Sequence, residues 1–194
     1  AARDRLMVKM RSGLEMTIEA HRIGAIKGQV LDKDGSVLLD LFTTFGVPQT
    51  TVGFALATDA TVVKKKVSEA IRAMESKLGN TPYMGVRVLC GDSFFDELSN
   101  HKNVEKFYLN QPAALGLTGD PLQAIQFGGV TWERYRGVSG CTIASDDAYL
   151  IPMGVPGLFI TRYAPANYTE TINTLGLPMY AKAEERKFGK GFDI

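Results

Sequence analysis

From Arg3 onward the apolar residues Leu6, Met10, Leu14 and Ile18 recur at every fourth position, the spacing that keeps side chains on one face of a helix. The pattern runs to Lys27 and stops at Gly28. It passes there directly into Val30, the turn-forming Asp32-Lys33-Asp34-Gly35 and the alternating Val37, Leu39 and Leu41, which together describe a two-stranded hairpin. A helix over 3–27 is roughly 37 Å long at 1.5 Å per residue. That length outruns the apolar partners within its reach, so helix and hairpin are expected to protrude from a compact body centred on residues 56–176.

The remaining pattern mixes helices and strands without regular alternation, which points to an α+β fold. Thr43 to Pro48 reads as a turn leaving the hairpin. Leu56 to Leu78 reads as a second helix, with Asp59 as N-cap, a stripe of Val63, Val67, Ala70, Ile71, Met74 and Leu78, and a stop at Gly79-Asn80. Tyr83 to Cys90 reads as a core strand. It ends at Gly91-Asp92, where Asp92 caps a short helix through Leu98, and Asn103 to Leu109 adds a further turn or two of helix. Gln111 to Gly119 is marked as a loop by proline and glycine. Strands are expected at Ile125–Phe127, Val130–Arg136, Tyr149–Ile151 and Leu158–Tyr163. Met179 to Arg186 reads as either a strand or a short helix, the latter favoured by its Ala, Lys and Glu.

Composition narrows the function classes. With 45% hydrophobic and 22% charged residues, the 194-residue chain has the make-up of an ordinary globular protein. It is long enough to bury roughly 70% of its unfolded surface. A formal net charge of +1 gives no electrostatic reason to expect nucleic acid or a membrane surface as partner. No apolar run approaches the roughly 20 residues needed to cross a bilayer. The two cysteines, Cys90 and Cys141, do not make a disulfide framework, so a reducing compartment is the expectation.

Each group able to carry chemistry has a structural reading that fits its context better. Gly91-Asp92-Ser93 after an apolar strand resembles the nucleophile block of GDS-type esterases, in which Ser93 attacks an ester carbonyl with help from a histidine base. Those enzymes carry the base on a late Asp-x-x-His block, whereas the last histidine here is His101. Cys90 ends an apolar strand, where cysteine packs as a small hydrophobe, so pairing it with His101 as a thiolate–imidazole couple is the weaker reading. His21, Cys90, His101 and Cys141 match no zinc spacing. His21 reads as a packing or interface residue. Lys64-Lys65-Lys66 sweeps about 200° of a helix and forms no single basic patch. Asp32, Asp34 and Asp40 lack the bidentate glutamate of a calcium loop, and the hairpin accounts for Asp34-Gly35. Trp132 alternates with charged residues, as in a half-buried strand. No catalytic, cofactor-binding or metal residue is assigned.

Four blocks taken together resemble the major capsid protein E family of tailed phages. They are EAHRIGAIKGQVLDKDGSVLLDLFTTFG (19–46), RVLCGDSFFDEL (87–98), FGGVTWERYRG (127–137) and AYLIPMGVPGLFITRYAPANYTETINTLGLPMYAK (148–182). The resemblance implies a subunit of the tailed-phage capsid fold. Residues 1–55 would supply the spine helix and hairpin of a peripheral domain, 56–176 an axial domain, and 177–194 a strand returning to the peripheral domain. It further implies self-assembly into an icosahedral shell, with copies of itself as partners and scaffold and decoration proteins as possible further ones. No membrane, sequence-specific nucleic acid or cofactor is implied. The location implied is the virion, after assembly in the bacterial cytoplasm. Against the family pattern the chain reads as a truncated fragment that lacks the N-terminal arm and extended loop, so a monomer or small oligomer is expected. A small ester hydrolase using Ser93 is the alternative function.

Overall fold

The computed structural model describes residues 2–109, 124–137, 142–182, 184–185 and 192–193, and the fold is α+β. The chain divides into two compact units, one of residues 18–156 and the other of residues 1–17 with 157–194. The loop expected over Gln111–Gly119 lies outside the described residues.

Helix α1 spans Ala2–Lys27, as its four-residue apolar spacing requires. Residues 3–17 are exposed apart from a half-buried Met7, and burial begins only with the last turns, where Ile23 and Gly24 are enclosed. Strands β1 (Gln29–Leu31) and β2 (Val37–Asp40) pair antiparallel across the Asp32–Gly35 turn. The hinge between helix and hairpin is tightly built. Gly28 has φ +91°, and a Cβ there would lie 2.2 Å from the Phe42 ring. The Leu41 N–H donates to the Gly28 carbonyl at 2.9 Å. Only glycine meets both conditions without strain.

Two sequence expectations fail beside this hinge. Leu41 does not extend the strand, and the turn at 43–48 is a short helix, α2 (Leu41–Phe45). The Asp40 carboxylate accepts from the Thr43 N–H and Gly46 closes the other end in the left-handed region, so capping overrides the strand alternation. The second long helix, α3, spans Val63–Leu78 rather than starting near Leu56. Residues 55–61 instead fold into successive turns on the Ala55 and Thr58 carbonyls. Asp59 caps nothing and pairs with Lys102.

The core belongs to a four-stranded sheet of order β4-β5-β3-β6, formed by β3 (Gly85–Cys90), β4 (Ala124–Phe127), β5 (Val130–Arg134) and β6 (Ala148–Met153). Central β3 runs parallel to β5 and antiparallel to β6. Alternation places Val86, Val88, Cys90, Ile125, Phe127, Val130 and Trp132 on one face. Val63 and Val67 of α3, Phe95 and Leu98 of α4 (Asp92–Asn100) and Val104 of α5 (Lys102–Leu109) join them in one cluster. Phe54, Phe94 and Trp132 pack ring against ring, with centroids 5.5–6.0 Å apart. Arg87, Leu89, Thr131 and Glu133 take the opposite face, where Arg87 and Glu133 lie 3.5 Å apart.

In the other unit, Leu158–Tyr163 is irregular rather than the expected strand. Gly157 enters it at φ +71°, and Gly176 backs onto the Tyr163 carbonyl so closely that a Cβ at 176 would lie 1.9 Å from the oxygen. A 3-10 turn at Thr169–Thr171 follows. Lys182 then returns to Glu170 at 2.9 Å and lies over the Tyr168 ring. Of the expected strand over Met179–Arg186, residues 179–182 are irregular, while β7 (Glu184–Glu185) pairs with β8 (Phe192–Asp193).

Candidate functional site

Ser93 stands at the second position of α4. Its Oγ lies 2.6 Å from Ser145 Oγ, and its N–H donates to the same oxygen at 3.1 Å. The Phe94 N–H donates to the Ser145 carbonyl, and the Gly91 N–H to that of Asp147. A Cβ at Gly91 would meet the Ala144 carbonyl at 2.1 Å. The Gly-Asp-Ser block is thus a strand-to-helix turn pressed under the 144–147 loop. Gly91, not Asp92, is the N-cap, and Ser145 caps the helix from afar. Asp92 instead lies 3.4 Å from Arg134.

His101 occupies the opposite end of α4, roughly 12 Å along the axis at 1.5 Å per residue. It is buried, with Nε2 3.3 Å from the Thr58 carbonyl and Nδ1 accepting from the Asn103 N–H at 3.2 Å. That pairing makes it a joint between α4, α5 and the 55–61 turns. Cys90 is fully buried, and burial pushes its thiol up to about 12. Cys141 lies outside the described residues. His21 is half-buried on α1.

The remaining polar candidates carry local structure. Lys64 and Lys65 are exposed, and Lys66 pairs with Glu69 at 3.1 Å. Asp34 accepts from the N–H and hydroxyl of Ser36, which holds its carboxyl below the usual carboxylate value. Asp32 accepts from the Lys33 N–H, and Asp40 from Gln29 and Thr43. Among the described residues, no group of three or more acidic, histidine or cysteine side chains gathers as for a metal. Trp132 is 2% exposed and donates to the Phe127 carbonyl, on the buried face of the half-buried strand that its alternation with charged residues predicts.

Several large apolar side chains among the described residues are exposed. Leu31, Val37, Leu38 and Leu39 of the hairpin are all exposed, while Val30 is half-buried. Two-stranded hairpins are marginal alone in water. Along α1, Leu6, Val8, Met10, Leu14 and Met16 are exposed, and so are Leu158, Phe159 and Ile160 in the irregular segment. The sequence stripe Leu6-Met10-Leu14 signalled the α1 residues. The alternation at 37–41 gave the strand but not its exposure, and Leu158–Ile160 was hidden by being read as a sheet strand.

The phage major capsid protein E family model matches residues 1–194, and the chain belongs to that family. It is similar to the major capsid protein of Salmonella phage Felix O1 (isolate Felix O1-VT1), with 25% identity over 228 aligned residues that cover 99% of this chain and 62% of the relative. It is also similar to the major capsid protein of Pseudomonas phage KPP10, with 29% identity over 166 residues that cover 76% of this chain and 47% of the relative. The chain thus spans less than two thirds of the length of either relative.

Proposed function

We propose that this chain is the shell-building part of a phage major capsid subunit, and that it acts by binding copies of itself rather than by catalysis. The observation that carries the reading is the hairpin: four large apolar side chains exposed on an element too small to be stable alone, in a chain of the capsid protein E family. A shell subunit covers such surfaces with its neighbours, and interfaces that persist bury more than about 1,000 Å². In this reading the fold is that of tailed-phage capsids. Residues 1–55 belong to a peripheral domain, 56–176 to an axial domain, and 177–194 lead back to the peripheral domain. The subunit assembles in the host cytoplasm, resides in the virion capsid, and has scaffold and decoration proteins as possible further partners.

The test is electron microscopy of the capsid subunit that carries this chain, produced in bacteria with and without Val37→Asp and Leu39→Asp. Closed shells are expected from the parent. The variant should stay folded by circular dichroism yet fail to assemble. Undiminished shells from the variant would remove the hairpin from the assembly surface.

A further inference from the structure

The edges of the four-stranded sheet are treated in an unusual way. β4 is an outer strand, and it turns into β5 through Gly128 and Gly129, both at positive φ, which closes the hairpin on the Phe127–Val130 pair. Opposed residues in an antiparallel ladder alternate between exchanging hydrogen bonds and not. Counting back from the closing pair, Gln126 directs its N–H and C=O away from β5. Such outward groups are a template for a strand from another chain. Here they are taken: the Gln126 N–H donates to the Tyr108 hydroxyl at 3.0 Å, and that hydroxyl donates to the Gln126 carbonyl at 2.9 Å. One side-chain oxygen does what a neighbouring strand's N–H and C=O would do. The ring is held in place by α5, where Phe107 packs edge-on against both Tyr108 and the core residue Phe127, with centroids 5.8 and 5.3 Å apart.

The opposite edge is blunted by other means. The Gly91 N–H bonds to the Asp147 carbonyl, and along the register Val86 faces Pro152 in a pair that exchanges no bonds. Pro152 therefore faces outward on β6, where it offers no N–H to a further strand.

We infer that Tyr108 is a built-in stop on strand addition: its hydroxyl occupies the outward backbone pair of Gln126 and closes the β4 edge to a second copy of this chain. Copies then meet through side-chain surfaces rather than by extending one another's sheets. The inference stands whether or not the shell reading holds.

Sedimentation velocity across a concentration series of the 194-residue chain tests it with Tyr108→Phe, which keeps the ring and removes the hydroxyl. Losing two hydrogen bonds from the closed edge should tighten self-association about tenfold. Adding Ala124→Lys, a charge on the same edge, should return it to the parent level. A folded Tyr108→Phe variant with unchanged association would overturn the proposal. Amide exchange gives a second readout independent of that variant's folding. In the parent the Gln126 amide should exchange as slowly as those of Ile125 and Phe127, despite facing outward. A rapidly exchanging Gln126 amide would also overturn it.

Discussion

Ala55 holds a left-handed backbone, φ +50°, that L-residues reach only at a cost of roughly 1–2 kcal/mol. The reason lies on either side. Phe54 packs on Phe94 and Trp132, while Leu56 is buried in the same cluster, and the kink at 55 lets both neighbours enter it. Ala55→Gly should therefore stabilise the chain by about 0.5–1 kcal/mol, after allowing for glycine's greater unfolded-state freedom. Urea unfolding measures this, and a loss of stability would show that the Ala55 methyl makes contacts worth more than the strain. Cys90 gives a second residue-scale outcome. With its thiol pushed up to about 12 by burial, almost no thiolate exists at neutral pH. Thiol-directed labelling of the native chain, read by peptide mass, should spare Cys90 until denaturant is added. Rapid native labelling would contradict the burial.

At the scale of elements, the hinge from α1 into the hairpin rests on Gly28 against Phe42 and on Asp40. The Thr43 amide, and then the Gln29 side chain, hold the Asp40 carboxyl below the usual value of 3.8 by stabilising its ionised form. A lowered value means that the contribution is complete above the unfolded-state value and is lost as pH falls through the folded one. The Thr43 amide should thus lose its exchange protection on acidification below about pH 4. In Asp40→Asn that acid-dependent step should vanish, and a step that persisted would assign it to another group. Gly28→Ala should weaken the hairpin at every pH, because neither the positive φ nor the Phe42 ring leaves room for a methyl group.

The same elements mark how far the sequence could be read. The α1 stripe, the Asp-Gly turn and the alternation in β3 are short-range patterns, and each led to its element. The start of α3 depended on Lys102 drawing Asp59 away from a cap, a contact across 43 residues that no local pattern encodes. Leu158–Tyr163 has strand composition, yet it lies irregularly against Gly176, and composition does not name a partner. Of the exposed apolar residues, the helical stripe was legible. The hairpin's exposure was not, because alternation is the same whether a face is covered or bare.

For the whole molecule the division of burial is uneven. Every buried hydrophobic side chain among the described residues, from Ile23 to Ile143, falls in the 18–156 unit. The other unit holds Leu6, Met10, Leu14, Phe159, Ile160, Ile172 and Leu175, all exposed. Apolar burial is the main source of folding stability, so the two units cannot be equally stable in the dispersed chain. Amides of β3 and β5 should exchange only through global unfolding, whereas those of residues 158–177 should exchange several orders of magnitude faster. If association is what covers the exposed residues, assembly should raise protection over 158–177 and along the first turns of α1, and leave β3 and β5 almost unchanged. Hydrogen exchange read by mass spectrometry, before and after assembly of the capsid subunit that carries this chain, measures both states. Protection over 158–177 already equal to that of β3 in the dispersed chain would show that this unit supports itself. Protection that stayed low after assembly would place the contacts between copies elsewhere.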